Sequence, residues 1–146
     1  MNQLYLIVTI AGELAAFRAA DVQSVIELGK VTPAPRAPHH IAGLTALRSR
    51  ALTVIDCLKS LELELPEDEA ISRHAAVVEQ EGHLYALRLE AVDDVVEATS
   101  EPEPVPAELA GGWHRVALGM IETDIGAMLL IDLAAMIAGP EQKLAA

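Results

Sequence analysis

The chain has 146 residues, a size that supports a single domain with a sizeable buried core. Its net charge of −12 argues against nucleic acid or an anionic membrane as the main partner, because such binding depends on lysine and arginine. Aromatic residues make up only 3% of the chain, which disfavours a surface that stacks bases. The single cysteine excludes an internal disulfide and a cysteine-rich zinc site.

The predicted elements, taken in chain order, occur twice. Residues 6–27 align with residues 76–97 at a constant offset of 70, and both copies predict strand, glycine turn and strand, followed by a shared Val-x-x-Val-[Ile/Val]-Glu pattern. Residues 41–61 align with residues 117–137 at an offset of 76, and both copies place an apolar strand before a short helix. A proline-rich loop lies between the two blocks in each half. The chain is therefore interpreted as a duplicated five-stranded unit.

This duplication predicts a mainly β fold with two small pseudo-symmetric barrels packed side by side, since closing a small sheet removes its exposed edges. We expect one domain over residues 1–146, with approximate halves 1–66 and 67–146, exchange of strands between the barrels left open, and a frayed tail over 139–146. Such small barrels are filled by their own side chains. Function is therefore expected on the outer surfaces and in the groove between the barrels.

Several polar residues have both a structural and a chemical interpretation. Asp56 and Asp132 stand where a strand gives way to a short helix, which predicts helix capping, with catalysis as the alternative. Cys57 follows an acid and begins an apolar turn, which favours a packed thiol over a nucleophile. His39 and His40 are adjacent on an extended segment and so point to opposite sides, which disfavours a metal site.

The remaining alternatives concern charge and location. The acidic segment Glu62–Ala70 is expected to be a solvated linker, with an electrostatic docking strip as the alternative. No apolar run approaches the roughly eighteen residues that span a bilayer, so a cytoplasmic chain without direct membrane insertion is expected. Arg48 has Asp124 at its equivalent position in the second half, which indicates either divergence of the two halves or an ordinary surface arginine.

The stretch VQSVIELGKVTPAPRAP followed by IAGLTALRSRALTVIDCLKSL resembles the chemotaxis coupling (adaptor) proteins of the CheW family. The second-half segments LYALRLEAVDDVVE and GMIETDIGAMLLIDLAAMI extend the resemblance over nearly the whole chain. The resemblance implies two SH3-like five-stranded barrels and a non-catalytic adaptor without cofactors. It implies two partners, the regulatory domain of the histidine kinase CheA and the cytoplasmic tip of methyl-accepting chemoreceptors, and recruitment to membrane-associated receptor arrays.

The resemblance also implies which residues contact partners. Arg48 stands at the arginine of the family's Asn-Leu-Arg-Gly motif. The other candidates are Val22 and Val25 in the first half and Val92 and Val95 in the second half, all four of which have a core interpretation as well.

The chain departs from the family pattern around the candidate arginine. Ser24 replaces a glutamate able to pair with Arg48, for which Glu27 is a possible substitute, and Ser49 replaces a turn glycine. Other departures are Ala46, Thr53 and Glu90-Ala91. These changes favour, as one alternative, a CheW-like scaffold for a kinase pathway outside chemotaxis. A small hydrolase or metal-dependent enzyme using His39, His40 and Asp56 is the other.

Overall fold

The computed structural model describes residues 3–63, 73–98, 100–105, 108–109 and 111–140. The first half contains five strands and one short α-helix, with a single 3-10 turn (Ala19–Asp21) before β3: β1 (Gln3–Ile10), β2 (Glu13–Arg18), β3 (Val22–Glu27), β4 (Ile41–Leu47), β5 (Arg50–Asp56) and α1 (Cys57–Ser60). The second half repeats this order with an extra helical turn: β6 (His74–Gln80), β7 (His83–Leu89), β8 (Ala91–Ala98), α2 (Trp113–Val116), β9 (Ala117–Thr123), β10 (Gly126–Ile131) and α3 (Leu133–Ala138). The expected hairpins, β1–β2 and β6–β7, are both present.

The strands form two five-stranded sheets, sheet A in the order β8-β1-β2-β10-β9 and sheet B in the order β3-β6-β7-β5-β4. Exchanging every strand for its repeat partner converts one order into the other, so an approximate two-fold relates the sheets. The register follows the same rule, because Leu6 lies opposite Val95 in sheet A and Ala76 lies opposite Val25 in sheet B. The predicted fold of two pseudo-symmetric five-stranded units with short helices is therefore confirmed.

Each sheet combines strands from both halves of the chain. The hairpin β1–β2 lies between β8 and β10, and the hairpin β6–β7 lies between β3 and β5. The contacts that join a hairpin to its host sheet include one parallel pair in each sheet, β2 with β10 and β5 with β7. Since each half completes its sheet with a hairpin from the other half, neither half contains a whole sheet.

One isolated bridge links the edges of each sheet. The segment after β3 places Thr32 opposite Leu44 of β4, and the segment after β8 places Glu103 opposite Met120 of β9. These bridges connect the two outermost strands of a sheet, which curls it towards a barrel. Gly43 allows the first bridge, since a Cβ atom there would lie 2.2 Å from the carbonyl oxygen of Thr32.

The core consists of three apolar clusters, which follow from the alternation of side chains along each strand. On β1, Tyr5 and Ile7 face the interior of sheet A, whereas Leu6 and Val8 face the junction with sheet B. The interior of sheet B is filled by Leu52, Val54, Ala75, Val77, Ala86 and Leu28. The central cluster at the junction includes residues of both sheets and all three helices. The predicted groove between the barrels is thus largely core, with a cleft of about 180 Å³ at its margin.

Two predicted segments lie wholly or partly outside the described residues. The acidic linker Glu62–Ala70 is described only for Glu62 and Leu63, and the predicted frayed tail 139–146 only for Gly139 and Pro140. Gly139 is buried and ends α3 with a φ of 75°.

Candidate docking surfaces

The four candidate valines occupy two different environments. Val22 of β3 and Val92 of β8 are partly buried and pack against the central cluster. Val25 and Val95, three positions further along the same strands, are 45% and 52% exposed. The two-fold relates Val22 to Val92 and Val25 to Val95, so the exposure of each valine depends on its position along the strand and is similar in the two halves. Val25 and Val95 are therefore the surface members, and Val22 and Val92 have mainly a packing role.

Leu4 is an exposed apolar residue that sequence reasoning missed. It lies on β1 opposite Glu97 of β8, diagonal to Val95, and is 46% exposed. Leu4 and Val95 thus form an apolar patch on the outer face of sheet A, close to its edge strand. In the sequence, Leu4 stands within an apolar run and gives no signal that separates it from the core residues that follow.

Arg48 lies at the tip of the β4–β5 hairpin and is exposed. Arg48 and Ser49 are the two central residues of the turn, with φ values of 49° and 68°. Both angles are positive, as a type I′ turn requires, although neither residue is glycine. The turn thus has left-handed geometry although Ser49 stands where the family pattern has a glycine. The conformation costs about 1 kcal/mol per residue and holds the Arg48 side chain at the end of the sheet.

Glu27, the possible substitute partner of Arg48, does not pair with it in the structure. Among the described residues, Arg48 forms no ion pair with Glu27. Glu27 lies instead on β3 opposite His74. Arg48 therefore presents its charge to solvent, where a partner carboxylate would be its natural contact.

The equivalent turns of the two sheets carry opposite charge. The exposed Arg48 lies in the β4–β5 turn and the exposed Arg50 begins β5. The exposed Lys30 lies beside β4, where its carbonyl oxygen accepts a hydrogen bond from Thr45 at 2.9 Å. The equivalent β9–β10 hairpin carries Glu122 on β9 and Asp124 in its turn. The edge strand β8 adds Asp93, Asp94 and Glu97, all exposed, where β3 has only Glu27. The two-fold in the backbone is thus broken by charge, which gives sheet B a basic end and sheet A an acidic edge.

The aspartates at the strand–helix junctions cap the helices, as predicted. Asp56 Oδ1 accepts a hydrogen bond from Lys59 N at 3.3 Å, and Asp132 Oδ1 accepts one from Ala135 N at 3.2 Å. Asp56 also forms an ion pair with Arg88, whose Nη2 lies 2.5 Å from Asp56 Oδ2. Arg18 and Asp132, the equivalent residues, form no such pair, so this interaction is present in one half only.

The residues of the enzyme alternative are engaged elsewhere. His40 is buried and its Nε2 lies 2.8 Å from the carbonyl oxygen of Ile137, whereas the neighbouring His39 is exposed. The carboxylate of Asp56 is occupied by Arg88 and by the helix amide. Cys57 is fully buried, and burial raises the pKa of its thiol, with the adjacent Asp56 charge raising it further. A thiol in this environment remains protonated and unreactive, which agrees with the packed interpretation.

Within the described ranges there is no group of three side chains able to hold a metal ion, and no helix of the described chain is long and apolar enough to cross a membrane. The buried polar side-chain atoms of these residues all have hydrogen-bond partners. The buried polar groups thus form hydrogen bonds that stabilise the fold. The described residues thus define a domain built from two packed five-stranded units.

The chain belongs to the CheW-like domain family, whose pattern matches residues 4–141. It is 31% identical over 144 residues to a probable chemotaxis protein CheW of Rhizobium etli, covering 91% of this chain and 92% of that protein. It is 26% identical over 145 residues to the chemotaxis protein CheW of Rhizobium meliloti, with the same coverage of 91% and 92%. The crystal structure of the scaffolding protein TtCheW from Thermoanaerobacter tengcongensis superposes with a TM-score of 0.83 at 23% identity, covering 99% of each chain. This last likeness concerns the fold.

Proposed function

We propose that the protein is a non-catalytic adaptor that binds the regulatory domain of the histidine kinase CheA and the cytoplasmic tip of chemoreceptors, and so couples receptor state to kinase activity. The family supports the proposal, since its relatives are named chemotaxis proteins. The observation that carries the proposal is the exposure of Val25 and Val95, which lie at equivalent positions of the two sheets. Val22 and Val92, on the same strands, pack against the core instead.

The two ends of the molecule differ in the chemistry that they offer a partner. The basic turn of sheet B, with Arg48 at its tip, suits a surface that carries carboxylates, and we assign it to the kinase domain. The apolar patch of Leu4 and Val95, next to the acidic strand β8, suits the side of a receptor helix with apolar and basic residues. An adaptor with two such surfaces bridges its partners without performing chemistry. We place it in the cytoplasm, at membrane-associated receptor arrays.

Binding of purified kinase regulatory domain and of a receptor-tip fragment to paired variants tests the assignment. Arg48→Ala should weaken kinase binding at least tenfold, whereas Arg50→Ala, which removes a neighbouring exposed charge, should change it little. Val95→Asp should weaken receptor binding to a similar degree, with Ile125→Asp as the control because Ile125 is 51% exposed and lies in the β9–β10 turn. Val25 and Val95 are better targets than Val22, where a charge would also disturb the core.

Circular dichroism separates lost binding from lost folding in these variants. Unchanged affinities of Arg48→Ala and Val95→Asp in folded protein would show that the two surfaces are assigned wrongly. Binding of a kinase from another pathway through the same residues, in place of CheA, would support a CheW-like scaffold outside chemotaxis. Catalytic turnover that depends on His40 or Asp56 would refute the adaptor proposal altogether.

A further inference from the structure

The approximate two-fold axis passes between α1 and α3. Ser60 of α1 and Met136 of α3 are repeat partners, and they contact each other, since Ser60 Oγ donates a hydrogen bond to the carbonyl oxygen of Met136 at 2.7 Å. Two residues that a two-fold exchanges can touch only beside the axis. Both residues are fully buried. The two short helices therefore meet at the centre of the junction between the halves.

The last carbonyl groups of α3 are bonded by side chains from three other parts of the chain. Arg115 donates to the carbonyl oxygen of Ala135, Ser60 to that of Met136, and His40 Nε2 lies within hydrogen-bond distance of that of Ile137. The carbonyl group of Ala135 also accepts the helical hydrogen bond from Gly139 N, whereas the carbonyl groups that follow it at the helix end need partners from outside the helix. Since α3 has only six residues, these contacts involve half of its carbonyl groups.

Arg115 also reaches the end of α1. Its Nη2 donates to the carbonyl oxygen of Ser60 at 2.7 Å and to Ser60 Oγ at 3.1 Å. One guanidinium thus bonds the carboxyl-terminal parts of both helices, one from each half of the chain. The planar fork of arginine suits two acceptors at once, and its positive charge favours the negative ends of both helices. Burial lowers the pKa of Arg115, and the nearby Glu62 opposes that effect.

This contact is absent from the other side of the axis. The repeat partner of Arg115 is His39, which is exposed. Among the residues that the structure describes, the guanidinium contact with both helix ends is therefore made from one side of the axis, by Arg115.

We propose that Arg115 is a positioning residue that clasps α1 to α3, and thereby fixes the angle between the two sheets on which the docking surfaces lie. The clasp itself follows from the contacts above. Its consequence for assembly rests on the proposed adaptor function, because a bridge holds two partners at a defined angle only if its own halves are fixed.

Amide hydrogen exchange tests the clasp without any partner. The amide of Leu61 bonds to the carbonyl oxygen of Cys57 at 3.0 Å in α1, and the amide of Gly139 bonds to that of Ala135 at 3.2 Å in α3. In Arg115→Met, both amides should exchange on the order of tenfold faster, together, because one side chain supports both helix ends. Lys59→Met removes one exposed charge from α1 and serves as the matched control, for which neither rate should change.

Unchanged exchange at both amides, or a change at only one of them, would overturn the clasp. Should Arg115→Met fail to fold, Arg115→Lys gives the same reading, with a smaller increase expected at both amides. A second experiment tests assembly with the Arg115 variant. Its separate affinities for the kinase domain and for the receptor fragment should stay within about twofold of those of the unaltered protein. The yield of the three-component complex should fall. Separate affinities that drop as far as the three-component yield would refute the positioning role. If the unaltered protein binds neither partner, the adaptor proposal fails, and the exchange measurement still decides the clasp.

Discussion

The two capping aspartates offer a matched comparison, because the two-fold places them in the same local structure with different neighbours. Asp132→Ala removes one hydrogen bond to the amide of Ala135. Asp56→Ala removes the equivalent bond to Lys59 N and, in addition, the carboxylate that pairs with Arg88. We expect both variants to be destabilised, and the Asp56 variant much more so.

The magnitudes follow from burial and contact. Loss of a capping side chain costs about 1 kcal/mol, which is the whole effect expected for Asp132→Ala. The side chains of Arg88 and Asp56 are 15% and 6% exposed, so Asp56→Ala leaves a mostly buried guanidinium without its partner. That adds about 3 kcal/mol, at the lower end of the range for buried pairs because Arg88 keeps some contact with water. The expected total for Asp56→Ala is about 4 kcal/mol.

Urea denaturation followed by circular dichroism measures both losses, and thermal unfolding should show a decrease in Tm of about 3 °C for Asp132→Ala and about 10 °C for Asp56→Ala. Replacing Arg88 by Met in the Asp56→Ala background should recover part of the stability, since the unpaired charge is removed. If the two single variants agree within about 0.5 kcal/mol, the ion pair contributes nothing beyond the cap and the reasoning fails.

Three further outcomes are expected. Gly139→Ala should destabilise the protein strongly, because a Cβ atom there would lie 2.2 Å from the buried ring of His40. Gly12 has nearly the same φ, 77°, but nothing within 4 Å of such a Cβ atom, so Gly12→Ala should cost only about 1 kcal/mol. Equal losses of stability in denaturant titrations would contradict the steric argument. Cys57 should resist thiol reagents in the folded protein. Because its folded-state pKa is raised, stability should decline as the pH rises above 9.0, the ordinary value, and Cys57→Ala should show a shallower decline; identical pH profiles would contradict this. A first half expressed alone should remain unfolded by circular dichroism and fold on mixing with the second half, since each sheet needs a hairpin from the other half; independent folding of either half would refute this dependence.

Much of the fold was accessible from sequence, because a duplication constrains two copies at once. The hairpin turns at Gly12 and Gly82 and the caps at Asp56 and Asp132 are local features that depend on a few neighbouring residues, and they were predicted correctly. The candidate site was less accessible. Val22 and Val25 both belong to an apolar pattern, and only the bulge and register of β3 against β6 show which of them reaches solvent.

The amino-acid sequence alone determined the repeat, the order of strands in each half and the two sheets that a five-stranded duplication forms, because side-chain alternation and turn chemistry act over a few residues. The tertiary structure alone decided that the glycine hairpins are exchanged between the halves, that the Arg88 pair has no counterpart across the axis, and that Arg115 joins two helices. Those contacts join residues far apart in the chain. Their existence depends on how the sheets pack in three dimensions, which no local pattern specifies.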